Sequence, residues 1–268
     1  MFLFGILSGA VRMLHYQIQG EGPPIVILHG LLGASGNWRS HAARLGQRWQ
    51  VVTPDLRNHG ASFHDPQMSY PDMAADVLAL MDELDIGTAL LVGHSMGGKV
   101  AMQVALSAPE RVRALCVVDM APVAYADRHS HILDALASLP LSHLHSRADA
   151  NRLLVGHIPD RDVRIFALQN LVRTGHGWTW RCNLEALRAN MEHLRDWPPQ
   201  QRQYTGPALF MAGARSDYIC TGDQNEIVTW FPNARGVRIA NAGHWLHADQ
   251  PERFLAHLVR FLESTPNP

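Results

Sequence analysis

Thr88-Ala89-Leu90-Leu91-Val92-Gly93-His94-Ser95-Met96-Gly97-Gly98-Lys99-Val100-Ala101-Met102 decides how the rest of the chain is read. Residues 88–93 are a short apolar run, the pattern of a strand buried on both faces. Residues 96–108 follow directly and read as a helix. Between them, Gly93-His94-Ser95-Met96-Gly97 matches G-x-S-x-G in the strand–turn–helix setting that this motif requires. A turn that sharp forces Ser95 into a strained backbone conformation. Glycines two residues to either side leave room for neighbouring chain. The Ser95 hydroxyl then stands at the carboxyl edge of a sheet with a helix N-terminus behind it. Such a hydroxyl is a candidate nucleophile. The bland alternative is a glycine-rich turn with a capping serine.

Outward from this point the same alternation recurs. Apolar runs at 25–29, 49–54, 114–119, 207–212 and 235–240 read as further buried strands, and Met13 opens a first strand. Ser69, Pro71 and Asp72 make a capped helix start, followed by Met73, Val77, Leu80, Met81 and Leu84 at helical spacing. Residues 251–263 begin at Pro251 and place Phe254, Leu255, Leu258, Phe261 and Leu262 on one face. Strand–helix alternation predicts an α/β fold, a mostly parallel, doubly wound central sheet. The alternation stops between 122 and 198. That stretch has no good strand, but it has apolar stripes at helical spacing: Leu133, Leu136 and Leu139; Ile165, Leu168 and Leu171; Leu184, Leu187, Met191 and Leu194. It ends at Trp197-Pro198-Pro199. About 77 residues is too long for one crossover. The expectation is a core of 13–121 and 199–268 with a helical cap insertion over 122–198.

Composition narrows the function. The chain has 268 residues, 23 Lys plus Arg against 24 Asp plus Glu, 47% hydrophobic and 18% charged residues. That excludes a disordered chain, a collagen repeat and a disulfide scaffold. The neutral balance argues against a nucleic-acid partner. Lys99 is the only lysine, which reads as a coding bias towards arginine. Cys116, Cys182 and Cys220 are far apart and form no CxxC pair. Sixteen histidines include the pairs His129/His131 and His143/His145, but there is no HExxH, so they read as solvated surface residues rather than metal ligands. The run Met1 to Ala10 is apolar, lacks a leading Lys or Arg, and is far shorter than the ~20 residues of a membrane span. No stable membrane association is expected. The localisation reads as cytoplasmic, with a signal peptide left open. Oligomeric state is not legible.

A hydroxyl nucleophile needs a base. His244, in Asn241-Ala242-Gly243-His244-Trp245 after the last strand, is placed to swing over the sheet edge. His247, nearer the next helix, reads as a surface or capping residue. An oxyanion needs backbone donors. The N–H of Met96 follows the nucleophile, and the N–H of Leu31 lies in the glycine-flanked turn His29-Gly30-Leu31-Leu32-Gly33.

With these residues in hand the chain resembles the α/β-hydrolase superfamily and, more narrowly, the YbfF-type esterases and their mitochondrial relatives in animals. The resemblance rests on His29 to Gly33, Gly93 to Lys99, Asn241 to Trp245, and two narrower runs, Asp55-Leu56-Arg57-Asn58-His59-Gly60-Ala61-Ser62 and Val118-Asp119-Met120-Ala121-Pro122-Val123. It implies cofactor-free hydrolysis of small esters or thioesters under a cap. The expected reaction is a serine hydrolase cleaving short to medium acyl groups through an acyl-enzyme on Ser95, with a small acyl compound as its partner and no metal. Other triad chemistries (C–C hydrolase, perhydrolase, peptidase) and a non-catalytic binding protein on the same fold are the alternatives. The acid stays open. The usual Gly-x-x-Asp position reads Gly213-Ala214-Arg215-Ser216, and Asp217 comes one residue late. Asp119 ends the strand after the nucleophile helix, which should lie beside the nucleophile's strand. The resemblance implies an acid at Asp119 with Ser216 assisting. Asp55 to Ser62 reads as a structural turn, Lys99 as a packing or surface residue, and Trp178 and Trp180 as core or pocket wall.

Overall fold

In the computed structural model, which describes residues 12–265, the apolar runs fold into strands joined by helices. In chain order these are β1 (Tyr16–Gln19), β2 (Pro24–Leu28), α1 (Arg39–Leu45), β3 (Gln50–Pro54), α2 (Tyr70–Glu83), β4 (Ala89–His94), α3 (Met96–Ser107) and β5 (Val112–Val118). The chain then leaves the sheet through α4 (Ser130–Ala137), α5 (Arg147–Leu154), α6 (Arg161–Ala167), a hairpin of β6 (Leu171–Thr174) and β7 (Gly177–Trp180), α7 (Leu184–Ala189) and α8 (Met191–Arg195). It returns as β8 (Ala208–Gly213), α9 (Gln224–Trp230), β9 (Ala234–Ile239), α10 (Leu246–Asp249) and α11 (Pro251–Glu263). The N-terminal run on which the signal-peptide reading rests lies outside the described residues. Among the described residues no helix is long and apolar enough to cross a membrane.

The central sheet has seven strands in the order β1-β3-β2-β4-β5-β8-β9, and only β1 runs antiparallel to its neighbour. Side chains alternate between two apolar layers, as a strand's period of two demands. Ile25, Ile27, Leu90, Val92, Ala114 and Cys116 face a layer with Phe254 and Leu258 of α11. Val26, Leu28, Leu91, Leu115 and Val117 face the other, with Val77 of α2 and Val100 and Val104 of α3. Ser69 starts α2 as expected. Its hydroxyl accepts from Asp72 N at 3.2 Å, and Asp72 Oδ2 accepts from Ser69 N at 3.1 Å.

Two expectations need correction. The first strand opens at Tyr16, not Met13, because the ladder with β3 begins at Tyr16↔Pro54. The excursion between β5 and β8 is also not purely helical. Leu171 pairs with Trp180 in an antiparallel two-stranded sheet, separate from the central one. By spacing alone Leu171 falls into a helical stripe with Ile165 and Leu168. The β-branched and aromatic residues Val172, Thr174, Trp178 and Thr179 around Gly175-His176 favour a tight hairpin instead.

Candidate active site

Strand register puts the candidate residues on one edge. β4 pairs with β5 so that His94 lies opposite Val118, and β5 pairs with β8 so that Val118 lies opposite Met211. Ser95 and Asp119 are therefore the first residues past two adjacent strands. Ser95 N donates to Val118 O at 3.1 Å, and Asp119 N donates to Met211 O at 2.8 Å. Both residues sit at positive φ, Ser95 at 54° and Asp119 at 53°. For non-glycine residues this costs of order 1–3 kcal/mol each, and surrounding structure must hold it. The elbow needs its glycines. A Cβ on Gly93 would lie 2.1 Å from Gly97 O, and one on Gly97 would lie 2.5 Å from His29 O.

Asp119 is fully buried and its carboxylate is fully engaged. Oδ1 accepts from Gly213 N at 2.9 Å. Oδ2 accepts the Ser216 hydroxyl and lies 2.8 Å from His244 Nδ1. A carboxylate only accepts, so Nδ1 carries the proton and Nε2 of His244 keeps a free lone pair. Asp217 is elsewhere. Its side chain is 69% exposed and pairs with Arg128 at 2.6 Å, and that guanidinium holds its carboxyl below the usual range. Among the described residues no hydrogen bond joins Ser95 Oγ to His244; such contacts often tighten only when substrate is bound.

His244 is held from three sides. Tyr218 stacks on its ring, with centroids 3.9 Å apart and planes at 19°. His94 Nε2 donates to the His244 carbonyl at 2.9 Å. Asp119 takes Nδ1–H from the third side. Sequence reasoning missed Tyr218 and His94, although both lie within two residues of a residue it named. His247 is a correction. It is buried, stacked on Trp38 at 4.5 Å between centroids and within 4.6 Å of His94. Trp38 comes from the distant segment before α1, so nothing local to His247 announces it.

The Leu31 turn is set by two neutral histidines. His29 Nδ1 donates to Gly30 O at 2.8 Å while its Nε2 accepts from Leu56 N at 2.9 Å. His59 Nδ1 donates to Arg57 O at 2.9 Å while its Nε2 accepts from Leu32 N at 3.1 Å. Gly33 N closes the turn on Gly30 O at 2.9 Å. Among the described residues the N–H groups of Leu31 and Met96 make no hydrogen bond, which leaves two donors unspent beside Ser95. The run 55–62 is structural, as expected. Asp55 accepts from Ser35 N at 2.6 Å and Ala61 N at 2.9 Å.

Leu31, Ser95, Met96, Lys99, Met120, Tyr125, His129 and Tyr218 line one small pocket. Neither Trp178 nor Trp180 lines it; both pack against the larger core layer.

The buried histidines make acid stability predictable. Burial pushes His59 and His247 down to about 3 and His129 to about 4, from 6.5. Each is neutral in the fold, yet protonates near 6.5 when unfolded. Below that pH the unfolded chain binds more protons, so stability must fall as pH drops from about 6.5 towards 3. Tm measured between pH 7 and pH 4 should decline steadily, and a flat profile would contradict the neutral cluster.

Comparison with known proteins gives the family. Residues 23–143 match the family model described as alpha/beta hydrolase fold. The chain is 40% identical over 257 residues to the sn-1-specific diacylglycerol lipase ABHD11 of Xenopus tropicalis, covering 93% of this chain and 81% of that one. It is 34% identical to Esterase YbfF of Escherichia coli, covering 94% and 98%. Among solved structures, a marine microorganism esterase superposes with a TM-score of 0.91 at 35% identity, covering 93% and 99%. The chain belongs to the α/β-hydrolase family.

Proposed function

We propose that this protein is a serine hydrolase that cleaves short to medium acyl esters or thioesters through an acyl-enzyme on Ser95. The observation that carries the reading is the 2.8 Å pairing of a fully buried Asp119 with His244 Nδ1, one strand over from Ser95. In this mechanism His244 Nε2 takes the Ser95 proton as Oγ attacks the acyl carbonyl. The carbonyl oxygen becomes an oxyanion and accepts from the N–H groups of Met96 and Leu31. The intermediate collapses, His244 returns the proton to the departing alkoxide or thiolate, and water then cleaves the acyl-enzyme by the same steps. Asp119 holds the imidazole in the required tautomer and stabilises its cation, with Ser216 fixing Asp119. No step draws on a cofactor or metal. The excursion 122–198 serves as a cap whose residues Tyr125 and His129 wall the pocket.

Pocket size supports a short to medium acyl group. The cavity measures about 40 Å³, against the ~10–15 Å³ that one water needs. That is room for a few carbons. One relative is named a diacylglycerol lipase; the small cavity beside Ser95 supports a shorter acyl group for this chain. Fluorophosphonate labelling followed by a panel of nitrophenyl esters and acyl-CoA thioesters tests the reading. Labelling should require Ser95, and kcat/KM should be highest for short to medium acyl chains. Triglyceride emulsions proving the best substrates, with activation at the lipid surface, would overturn the chain-length assignment.

A further inference from the structure

Lys99, read from sequence as a packing or surface residue, is the most unusual group beside Ser95. It is the only lysine in the chain and is 1% exposed. It stands four residues after Ser95 on α3, on the same pocket wall. Its ammonium donates to Arg195 O at 3.0 Å and Asp196 O at 2.7 Å. These carbonyls end α8, where intrahelical donors have run out. Two further groups meet this end of α8. Tyr70 of α2 donates its hydroxyl to Leu194 O at 2.5 Å, and Tyr125 N donates to Arg195 O at 2.9 Å. Tyr125 belongs to the limb that leaves the sheet after β5; Arg195 and Asp196 belong to the limb that returns. Both limbs are thus tied at one point, and that point is anchored to the nucleophile helix.

On the reading of Ser95 as the centre of an ester hydrolase, we propose that Lys99 is a positioning residue that fastens both limbs of the cap to the nucleophile helix and so sets the depth of the acyl pocket. A buried ammonium is costly unless its protons are bonded. Here two carbonyls bond it, and the rings of Tyr125 and Tyr70 lie 4.9 and 5.4 Å from Nζ. Burial still pulls its pKa down to about 7. The choice of lysine fits the slot. A guanidinium is a wide planar fork, whereas an ammonium is a compact head on a slim stem. A chain that uses arginine at its other 22 Lys/Arg positions departs from it where a compact head meets two carbonyls.

The test is Lys99→Met, which keeps the stem and removes the donors. For a nitrophenyl butyrate ester, KM should rise roughly tenfold while kcat falls less than about threefold, the signature of lost positioning rather than lost chemistry. Preference among acetyl, butyryl and octanoyl esters should flatten. Trypsin should cut Arg195–Asp196 faster than in the parent, because the carbonyls that flank that bond are released. Unchanged KM, selectivity and trypsin sensitivity would overturn the proposal, as would a fall in kcat with KM and cleavage unchanged. Should Lys99→Met fail to fold, Lys99→Gln, which shortens the stem and removes the ammonium, replaces it and must shift KM and cleavage in the same direction or the proposal is overturned. The trypsin measurement needs no ester turnover. A parent protein that hydrolyses none of these esters therefore refutes the hydrolase reading, while the tie is still judged by cleavage at Arg195.

Discussion

Ser95→Ala is expected to lower kcat for a short-chain nitrophenyl ester by roughly 10⁴–10⁶, the scale seen when a triad serine is removed. The loss is chemical rather than structural. Ser95 holds its place through backbone bonds, N–H to Val118 O at 3.1 Å and carbonyl from Gly98 N at 2.8 Å, and alanine keeps both. Its φ of 54° is strained for serine and alanine alike, so the variant should melt within a few degrees of the parent. The unspent N–H groups of Leu31 and Met96 would remain and should leave a small residual rate. Fluorophosphonate labelling should vanish with the hydroxyl and persist in Ser216→Ala, whose hydroxyl already donates to Asp119. Ester hydrolysis by Ser95→Ala within tenfold of the parent would remove Ser95 from the mechanism.

Much of this fold is written in local pattern. β4, Ser95 and α3 are adjacent in the chain, so the elbow is visible as one motif. α11 carries its apolar face and its Pro251 start within thirteen residues. What escaped the sequence depends on partners far along the chain. Lys99 is buried by carbonyls 96 and 97 positions away, and a helix-face reading has no access to them. His247 reads as a cap because α10 begins beside it, yet Trp38 covers it. The hairpin at 171–180 failed for another reason: four-residue strands are too short for periodicity to separate from one turn of helix. The turn at 29–33 was legible as a glycine pattern, but its support by His59 was not, because Asn58-His59-Gly60 is silent about which backbone it meets.

The acid shows the same limit most sharply. Asp119 and Asp217 both follow apolar strands, and only the order β4-β5-β8 tells which lies against His244. On the proposed mechanism Asp119→Asn should cost roughly 10²–10⁴ in kcat, because the amide cannot satisfy every donor that Asp119 now serves. Oδ1 meets Gly213 N–H, and Oδ2 meets both the Ser216 hydroxyl and His244 Nδ1–H. An amide nitrogen on either side faces a donor. Turned towards His244, it selects the tautomer with the proton on Nε2, where no base remains for Ser95. Turned towards Gly213, it opposes a backbone N–H that has nowhere else to bond, so stability should drop as well. Asp217→Asn loses only an exposed pair with Arg128, worth little in water, and kcat should stay within about threefold of the parent. The comparison is made at one pH on folded variants, with melting curves alongside. If Asp217→Asn shows the larger loss while Asp119→Asn is folded and active, the acid is Asp217. The buried carboxylate at the end of β5 would then be a structural anchor for the loop that carries Ser216.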